Sequence, residues 1–350
     1  RYGQIDPTHV VPGWNEWHVA VPVLRYFRMT LNENGFLKTY GDAEGDYSTD
    51  VFARKALAFI DQHAQSPEPF FMLLTPKAPH RSSRKWVEDG VAEPAPRHAG
   101  LFADLPFAPR PNFDEADVSD KPRFVTALPA MDEAALAYNI KEFRARRESL
   151  MAVDEMIRDI VRRLHEQDIL DNTYIVLTSD NGWSQFSHRW AGKTVLYEES
   201  IRVPLVITGP GVPVEESRRQ MVTNLDLVAT ILDIAGAEPG NVIDGKSLLP
   251  VLADAALPWR TAFLFQGKGK ATDFYAVRSK QFKFARLTSQ RYGDEEEFYD
   301  LKADPYELEN RIGDARYAEI IDFMRQAFDR LSGCSGESCW MTEDLPEFRR

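Results

Sequence analysis

Several things are scarce or missing in this sequence, and each shortage excludes something. Only two of the 350 residues are cysteine, Cys334 and Cys339. No His and no second cysteine pair stands near them in sequence, which argues against a zinc site. No run of about eighteen apolar residues occurs, so no membrane-spanning helix is expected. No cationic-then-apolar leader opens the chain, so no signal peptide is visible. Residue 1 is arginine rather than methionine, a start that suggests a fragment or a processed chain. A missing leader then says nothing about export. Internal repeats and low-complexity tracts are also absent. Positive charge is in deficit, with 42 Lys and Arg against 54 Asp and Glu and a net charge of -12. Such a surface repels nucleic acid and anionic membranes on average. It leaves room for an anionic substrate, because a local cation cluster outweighs a distant field screened over roughly 10 Å.

What is present is ordinary globular composition, 43% hydrophobic and 27% charged, enough for one large domain or a large and a small one. The stretch Cys334-Ser-Gly-Glu-Ser-Cys339 suits a small disulfide loop in an oxidising compartment, secreted, periplasmic or lysosomal. The other reading is two free thiols in a cytosolic tail.

Residues 1–45 read as loop-heavy, with short strands at best. Residues 48–63 predict a helix capped by Ser48 or Thr49, with Phe52, Ala56, Phe59 and Ile60 on one face. Phe70 to Leu74 is an unbroken apolar run and predicts a strand buried on both faces. Residues 76–132 hold many of the prolines and read as a long surface excursion. Residues 133–167 predict a long helix from the rhythm of Leu136, Ile140, Phe143, Leu150, Val153, Ile157, Ile160 and Leu164. Tyr174 to Leu177 and Val203 to Ile207 predict two further buried strands. A helix over 225–235 ends at Gly236. Strands alternating with helices predict an α/β fold, a mainly parallel central sheet flanked by helices. After residue 258 short strands predict a small antiparallel sheet closed by a helix at 315–331. The expected domains are 1–257 and 258–350.

Two constellations follow predicted strands, where open α/β sheets collect their ligand sites. The first is Thr178-Ser179-Asp180-Asn181-Gly182. Asp180 and Asn181 offer adjacent oxygen ligands suited to calcium, or they simply make a turn. His188, Arg189, Gly192, Lys193, Tyr197, Glu198, Glu199 and Arg202 then crowd between two apolar strands, more polar groups than a plain loop needs. Lys193 presents a point charge to an anion, and His188 either binds substrate or caps the loop. The second constellation is Thr75-Pro76-Lys77-Ala78-Pro79-His80. His80 is either a loop-packing residue or a general acid at the same rim of the sheet as Asp180.

Together these segments resemble the type I, formylglycine-dependent sulfatases. The strand ending in Ala78-Pro79-His80 is similar to the family's. So is the run from Thr178 through His188-Arg189, Gly192-Lys193 and Tyr197-Glu198-Glu199 to Arg202-Val203-Pro204. Phe274 to Arg278, Phe298 to Leu301 and Asp304 to Leu308 resemble the C-terminal subdomain. Pro12 to Trp17, Ala95-Pro96-Arg97, Asn112 to Pro122 and the terminal cysteine loop resemble the N-acetylglucosamine-6-sulfatase branch. The resemblance implies an alkaline-phosphatase-like sulfatase fold and a sulfuric ester hydrolase. Its substrate would be a sulfated carbohydrate or an aryl sulfate, glycosaminoglycan included. It implies that Asp180 and Asn181 ligate Ca2+, that Lys193 holds the sulfate, and that His80 contacts the sulfate and helps protonate the leaving oxygen. His188 and Arg189 would bind substrate.

Three departures qualify this. No Cys-x-Pro-x-Arg segment, the source of formylglycine, occurs. The paired aspartates that complete the calcium shell and the Lys and His segment after the nucleophile are also missing. Phe186 stands where the family usually has Gly. The expectation is therefore a sulfatase lacking its N-terminal part, inactive alone and marginal or aggregation-prone because its sheet lacks partners. A non-catalytic protein that binds sulfated glycans is the second reading. A phosphatase or phosphonate hydrolase of the same superfamily is a distant third.

Overall fold

The computed structural model describes residues 6–83, 90–269 and 272–343. They form two compact units, residues 1–107 with 133–173, and residues 108–132 with 174–350. These interleave along the chain, a division by compactness rather than the sequential one expected at 257 and 258.

In the first unit, β1 (His18–Val21), β2 (Thr30–Glu33) and β3 (Phe36–Thr39) form an antiparallel meander. Asn34 and Gly35 turn β2 into β3 with φ of 53° and 94°, the left-handed pair a two-residue hairpin requires. Helix α1 spans Ser48–His63, but its start differs from the expectation. Ser48 and Thr49 lie inside the first turn and are buried, and Tyr47 holds the N-cap position. Tertiary packing sets that boundary. Tyr47 stacks on Tyr26 with ring centroids 5.7 Å apart, and its hydroxyl donates to Glu93 O at 2.9 Å.

Helix α2 (Glu133–Glu166) packs against α1. Its buried stripe is Ala145, Ser149, Ala152, Met156, Ile160 and Leu164, which shares only its last two members with the predicted apolar face. The small residues decide this. Ala145 and Ala152 join the cluster that holds the Tyr26 and Tyr47 rings, where a Leu would not fit. Leu136 and Leu150 are left exposed. Arg97 ties the two helices by donating to Asp50 on α1 and to Glu155 on α2. Residues 70–74 are extended but enter no ladder among the described residues. Phe71 and Leu73, 53% and 60% exposed, point to one side, so this run is not the doubly buried strand that its composition predicts.

In the second unit, β4 (Ile175–Thr178) and β7 (Leu205–Thr208) pair antiparallel, Thr178 opposite Leu205. The described strand pairs are all antiparallel. A parallel neighbour needs a crossover that returns the chain to the starting edge. Here residues 179–204 leave and rejoin the same end of the pair. Leu177 and Val206 stay half-exposed, so this pair too differs from the buried strands expected. Between them lies the hairpin of β5 (Ser184–Ser187) and β6 (Trp190–Gly192). Helix α3 (Asn224–Ala235) closes on Gly236 at φ 60°, as its sequence predicts.

The C-terminal antiparallel sheet also follows the expectation. It runs β11-β10-β9-β8 from β8 (Ala262–Lys268), β9 (Asp273–Ser279), β10 (Phe282–Thr288) and β11 (Glu295–Asp300). Helix α4 (Ala318–Leu331) covers one face, where Ile320, Met324 and Phe328 meet Phe282, Phe284 and Phe298. Cys334 and Cys339 are joined in a disulfide, one of the two states left open above. The expected surface excursion is only partly superficial. Val91, Ala92 and Ala95 are core residues of the first unit, and Asn112, Glu115 and Lys121 are buried in the second. Among the described residues no helix is long and apolar enough to cross a membrane.

Candidate active site

The antiparallel pair puts the polar loop at the carboxyl end of β4. Asp180 is exposed and Asn181 half-buried. Asn181 Nδ2 donates to Gly182 O at 2.8 Å, and its Oδ1 accepts from Lys193 Nζ at 2.9 Å. Residues twelve apart in sequence are thus joined, an amide oxygen against an ammonium. Trp190 Nε1 donates to Lys193 O at 3.3 Å and steadies the lysine's backbone.

Gly182 is required here by close approach rather than by its φ. Its N–H donates to Ser200 O at 2.9 Å. A Cβ on Gly182 would lie 2.1 Å from Glu199 O and 3.0 Å from Arg202 O, and backbone atoms cannot swing away. Gly182→Ala is expected to cost about 1–3 kcal/mol, as overpacking of a tight contact does. Chemical denaturation checks this, and a change under about 0.5 kcal/mol, the ordinary scatter of surface substitutions, would refute the close-contact reading.

The hairpin tip is strained. Phe186, His188, Arg189 and Thr194 have φ of 68°, 52°, 61° and 66°, a region side chains other than Gly rarely adopt. Phe186 thus adopts a left-handed backbone of the kind that Gly adopts without strain. His188 is completely buried. Its Nδ1 donates to Glu115 Oε2 at 2.5 Å, and its Nε2 accepts from Asn112 Nδ2 at 3.2 Å. Its ring packs on Tyr197 at 4.2 Å. Arg189 donates to the carbonyls of Glu115, Ala116 and Leu128. Both residues brace the loop against residues 112–128 in this structure.

The returning limb is held by charges that sequence reading assigned no role. Glu198–Ile201 is a single helical turn whose first N–H, that of Glu198, donates to Glu307 Oε2 at 2.7 Å. Lys283, fully buried on β10, donates to Leu196 O at 2.9 Å, lies 3.3 Å from Glu198 Oε1 and pairs with Glu307. Burial raises the Glu198 carboxyl, but the charge of Lys283 and the Arg278 guanidinium outweigh it and pull the pKa down to about 2. Beside them Glu297, fully buried, accepts from Tyr299 Oη at 2.5 Å and Tyr197 Oη at 3.1 Å. Burial pushes its pKa up to about 7. A chain of contacts thus runs from the C-terminal sheet through residues 196–200 to Gly182, Asn181 and Lys193. The available signal was the charge set into apolar strands, Lys283 between Phe282 and Phe284 and Glu297 before Phe298.

His80 belongs to the first unit. It is exposed, its Nδ1 lies 2.8 Å from Arg81 O and 3.5 Å from Lys77 Nζ, and its carbonyl accepts from Tyr26 Oη at 2.7 Å. The short contact to a carbonyl makes Nδ1 the protonated nitrogen, because a carbonyl can only accept.

The donor set at the loop suits calcium. A carboxylate and an amide oxygen are hard ligands, and Asn181 Oδ1 already attracts a cationic group. Asp180 and Asn181 would supply two of the roughly six to eight oxygens such an ion takes.

Known proteins resemble this chain over most of its length. The sulfatase family pattern matches residues 9–237, and that of N-sulphoglucosamine sulphohydrolase, C-terminal, matches residues 187–333. The N-acetylglucosamine-6-sulfatase of Capra hircus is 33% identical, over 95% of this chain and 64% of its own length. The arylsulfatase of Volvox carteri is also 33% identical, over 97% of this chain and 59% of its own. The chain therefore spans just under two-thirds of such relatives. A protein solved in complex with its substrate D-glucosamine-2-N,6-O-disulfate superposes with a TM-score of 0.78. It is 25% identical, with 92% of this chain and 76% of that chain covered. The fold is the alkaline-phosphatase-like fold of the sulfatases, and the chain belongs to the sulfatase family.

Proposed function

We propose that this chain serves the hydrolysis of a sulfate ester on a sulfated sugar, such as N-acetylglucosamine 6-sulfate within a glycosaminoglycan. The observation that carries the reading is the pairing of Asn181 with Lys193 at the carboxyl end of β4. Sulfate ester cleavage builds negative charge on the sulfuryl oxygens and on the departing alcohol oxygen. Lys193 holds the sulfuryl group, and His80 gives a proton to the leaving oxygen. With Nδ1–H kept on Arg81 O, the ring acts as an acid in its doubly protonated form and gives up the proton on Nε2. Asp180 and Asn181 would hold Ca2+, which when bound offers further charge to the sulfate oxygens. His188 and Arg189 support substrate binding by bracing the loop. The Cys334–Cys339 disulfide fits a secreted, periplasmic or lysosomal-type compartment.

Turnover also needs a nucleophile. Formylglycine is made from a Cys, and both cysteines here are committed to the disulfide. The purified 350-residue chain is therefore expected to bind a sulfated sugar without releasing sulfate. Calorimetry with N-acetylglucosamine 6-sulfate in calcium buffer tests the binding. Lys193→Ala should weaken it by about tenfold or more, the worth of a hydrogen bond to a charged group. Equal affinity of the variant, or no affinity of the parent chain, would overturn the reading. Sulfate release by the parent chain would overturn the assignment of the nucleophile elsewhere. Binding without turnover in every context would favour the non-catalytic sulfatase-like alternative.

A further inference from the structure

His188, Glu199 and Glu307 meet inside the second unit. Each brings one ligand atom, and the three atoms lie within 4.8 Å of one another. They come from separate segments, the tip of the β5–β6 hairpin, the single turn at 198–201 and the loop after β11. His188 and Glu307 are completely buried, and the Glu199 side chain is 8% exposed.

The hydrogen bonds of this cluster do not satisfy it. Asn112, also buried, sends one amide nitrogen to three acceptors, Glu199 Oε1 at 2.9 Å, Tyr306 O at 3.1 Å and His188 Nε2 at 3.2 Å. An amide nitrogen carries only two hydrogens, so one acceptor goes unserved. Turning the amide round makes matters worse, because the Glu199 carboxylate and the Tyr306 carbonyl would then face its oxygen. In the orientation that they fix, Asn112 Oδ1 and Glu199 Oε2 are buried without a hydrogen-bond partner among the described residues. Acceptors therefore outnumber donors. The cations close by do not correct this. Lys283 pairs with Glu307, and Lys121 lies 3.5 Å from Glu115. Arg110 comes within 3.5 Å of Glu199 Oε1, but its side chain is 64% exposed, so water screens its charge.

His188 is oriented as a metal ligand. Its Nδ1 donates to Glu115 Oε2 at 2.5 Å, and its ring rests on Tyr197 at 4.2 Å. The lone pair of Nε2 then points to the Asn112 nitrogen that Glu199 shares. Metal-bound imidazoles commonly give their other N–H to a carboxylate, which fixes the tautomer and makes the ligating nitrogen more basic.

We propose that His188, Glu199 and Glu307 form a binding site for a divalent transition metal such as zinc. One imidazole nitrogen with carboxylate oxygens suits zinc, whereas calcium takes oxygen ligands. The ion takes the place of the Asn112 NH2 group, whose amide turns aside. It ties the hairpin tip and the turn at 198–201 to the C-terminal sheet. The site shares no ligand with Asp180 and Asn181, and the inference does not depend on the sulfatase reading.

The intact chain, stripped with a chelator and returned to buffer with excess calcium, tests this by titration with Zn2+ against a chromophoric zinc indicator. One zinc ion per chain should bind. Glu199→Gln should weaken it by about tenfold or more, at least the loss that follows removal of a group supporting a metal ligand. X-ray absorption of the zinc-loaded parent chain needs no variant, and it should show one imidazole nitrogen among oxygen ligands. No zinc binding by the parent chain would overturn the proposal. So would an absorption spectrum with no imidazole or with two. Zinc affinity lost in Asp180→Ala but kept in Glu199→Gln would place the ion at the loop after β4 and overturn it as well.

Discussion

Replacing Lys283 with Met is expected to destabilise the second unit by about 3–5 kcal/mol, the usual cost of stranding a buried partner charge. Lys283 is wholly buried on β10, and its three N–H groups serve Leu196 O, Glu198 and Glu307. Removal leaves Glu307, also wholly buried, without its cation. Glu198 keeps Arg278, at 3.1 Å through two nitrogens, so most of the loss should fall on Glu307. Chemical denaturation of Lys283→Met and of the double variant Lys283→Met, Glu307→Gln separates the two terms. The double variant should recover a substantial part of the loss, because the stranded charge goes with it. If the single variant loses under about 1 kcal/mol, burial is not holding this pair together. The effect should reach the site as well. Leu196 and Glu198 lead to Ser200, whose carbonyl accepts from Gly182 N, so sulfated-sugar affinity should fall before the unit unfolds.

That brace explains what the sequence could and could not show. The order around Asp180, Asn181 and Lys193 was legible because few loops concentrate such groups between two apolar strands. Helix α3, the C-terminal sheet and α4 were legible because local patterning and tertiary burial agree there. The rest depended on partners distant in sequence. Helix α2 turns its small residues inward because two tyrosines from residues 26 and 47 occupy the space. Residues 70–74 and β4 have the composition of buried strands, yet burial comes from what covers a strand, and Leu73 and Leu177 are exposed. His188 had two open readings, and only Glu115 and Asn112, more than seventy residues upstream, place it as a brace. Phe186 shows the converse. Its departure from the family pattern was visible, but its left-handed backbone, φ 68°, was not.

The second large effect is a fall in stability as pH rises from about 4.5 to about 7, traced to Glu297. Burial pushes this carboxyl up to about 7, more than its hydrogen bonds from Tyr299 and Tyr197 and the nearby charge of Lys121 pull it down. An unfolded glutamate titrates near 4.5. Between those values the folded chain holds a proton that the unfolded chain has released. Stability from this group is therefore complete below about 4.5 and is lost progressively toward 7. The full change is on the order of 3 kcal/mol, from about 1.4 kcal/mol for each pH unit. Glu307 lies nearby, and burial raises its carboxyl too, so it adds to the same slope. Glu198 works the other way. Its carboxyl is held down to about 2, so its contribution is present above 4.5 and fades as pH falls below. The two limbs together place maximum stability on the acid side of neutrality. Denaturation midpoints of the parent chain at pH 5 and pH 8 should differ in favour of pH 5, and Glu297→Gln should flatten that difference. The amide keeps an oxygen to accept from Tyr299 and Tyr197 but cannot ionise, so the slope reads the charge rather than the packing. Equal slopes in parent and variant would mean that Glu297 stays ionised in the folded chain, matched by Lys121 rather than by a proton.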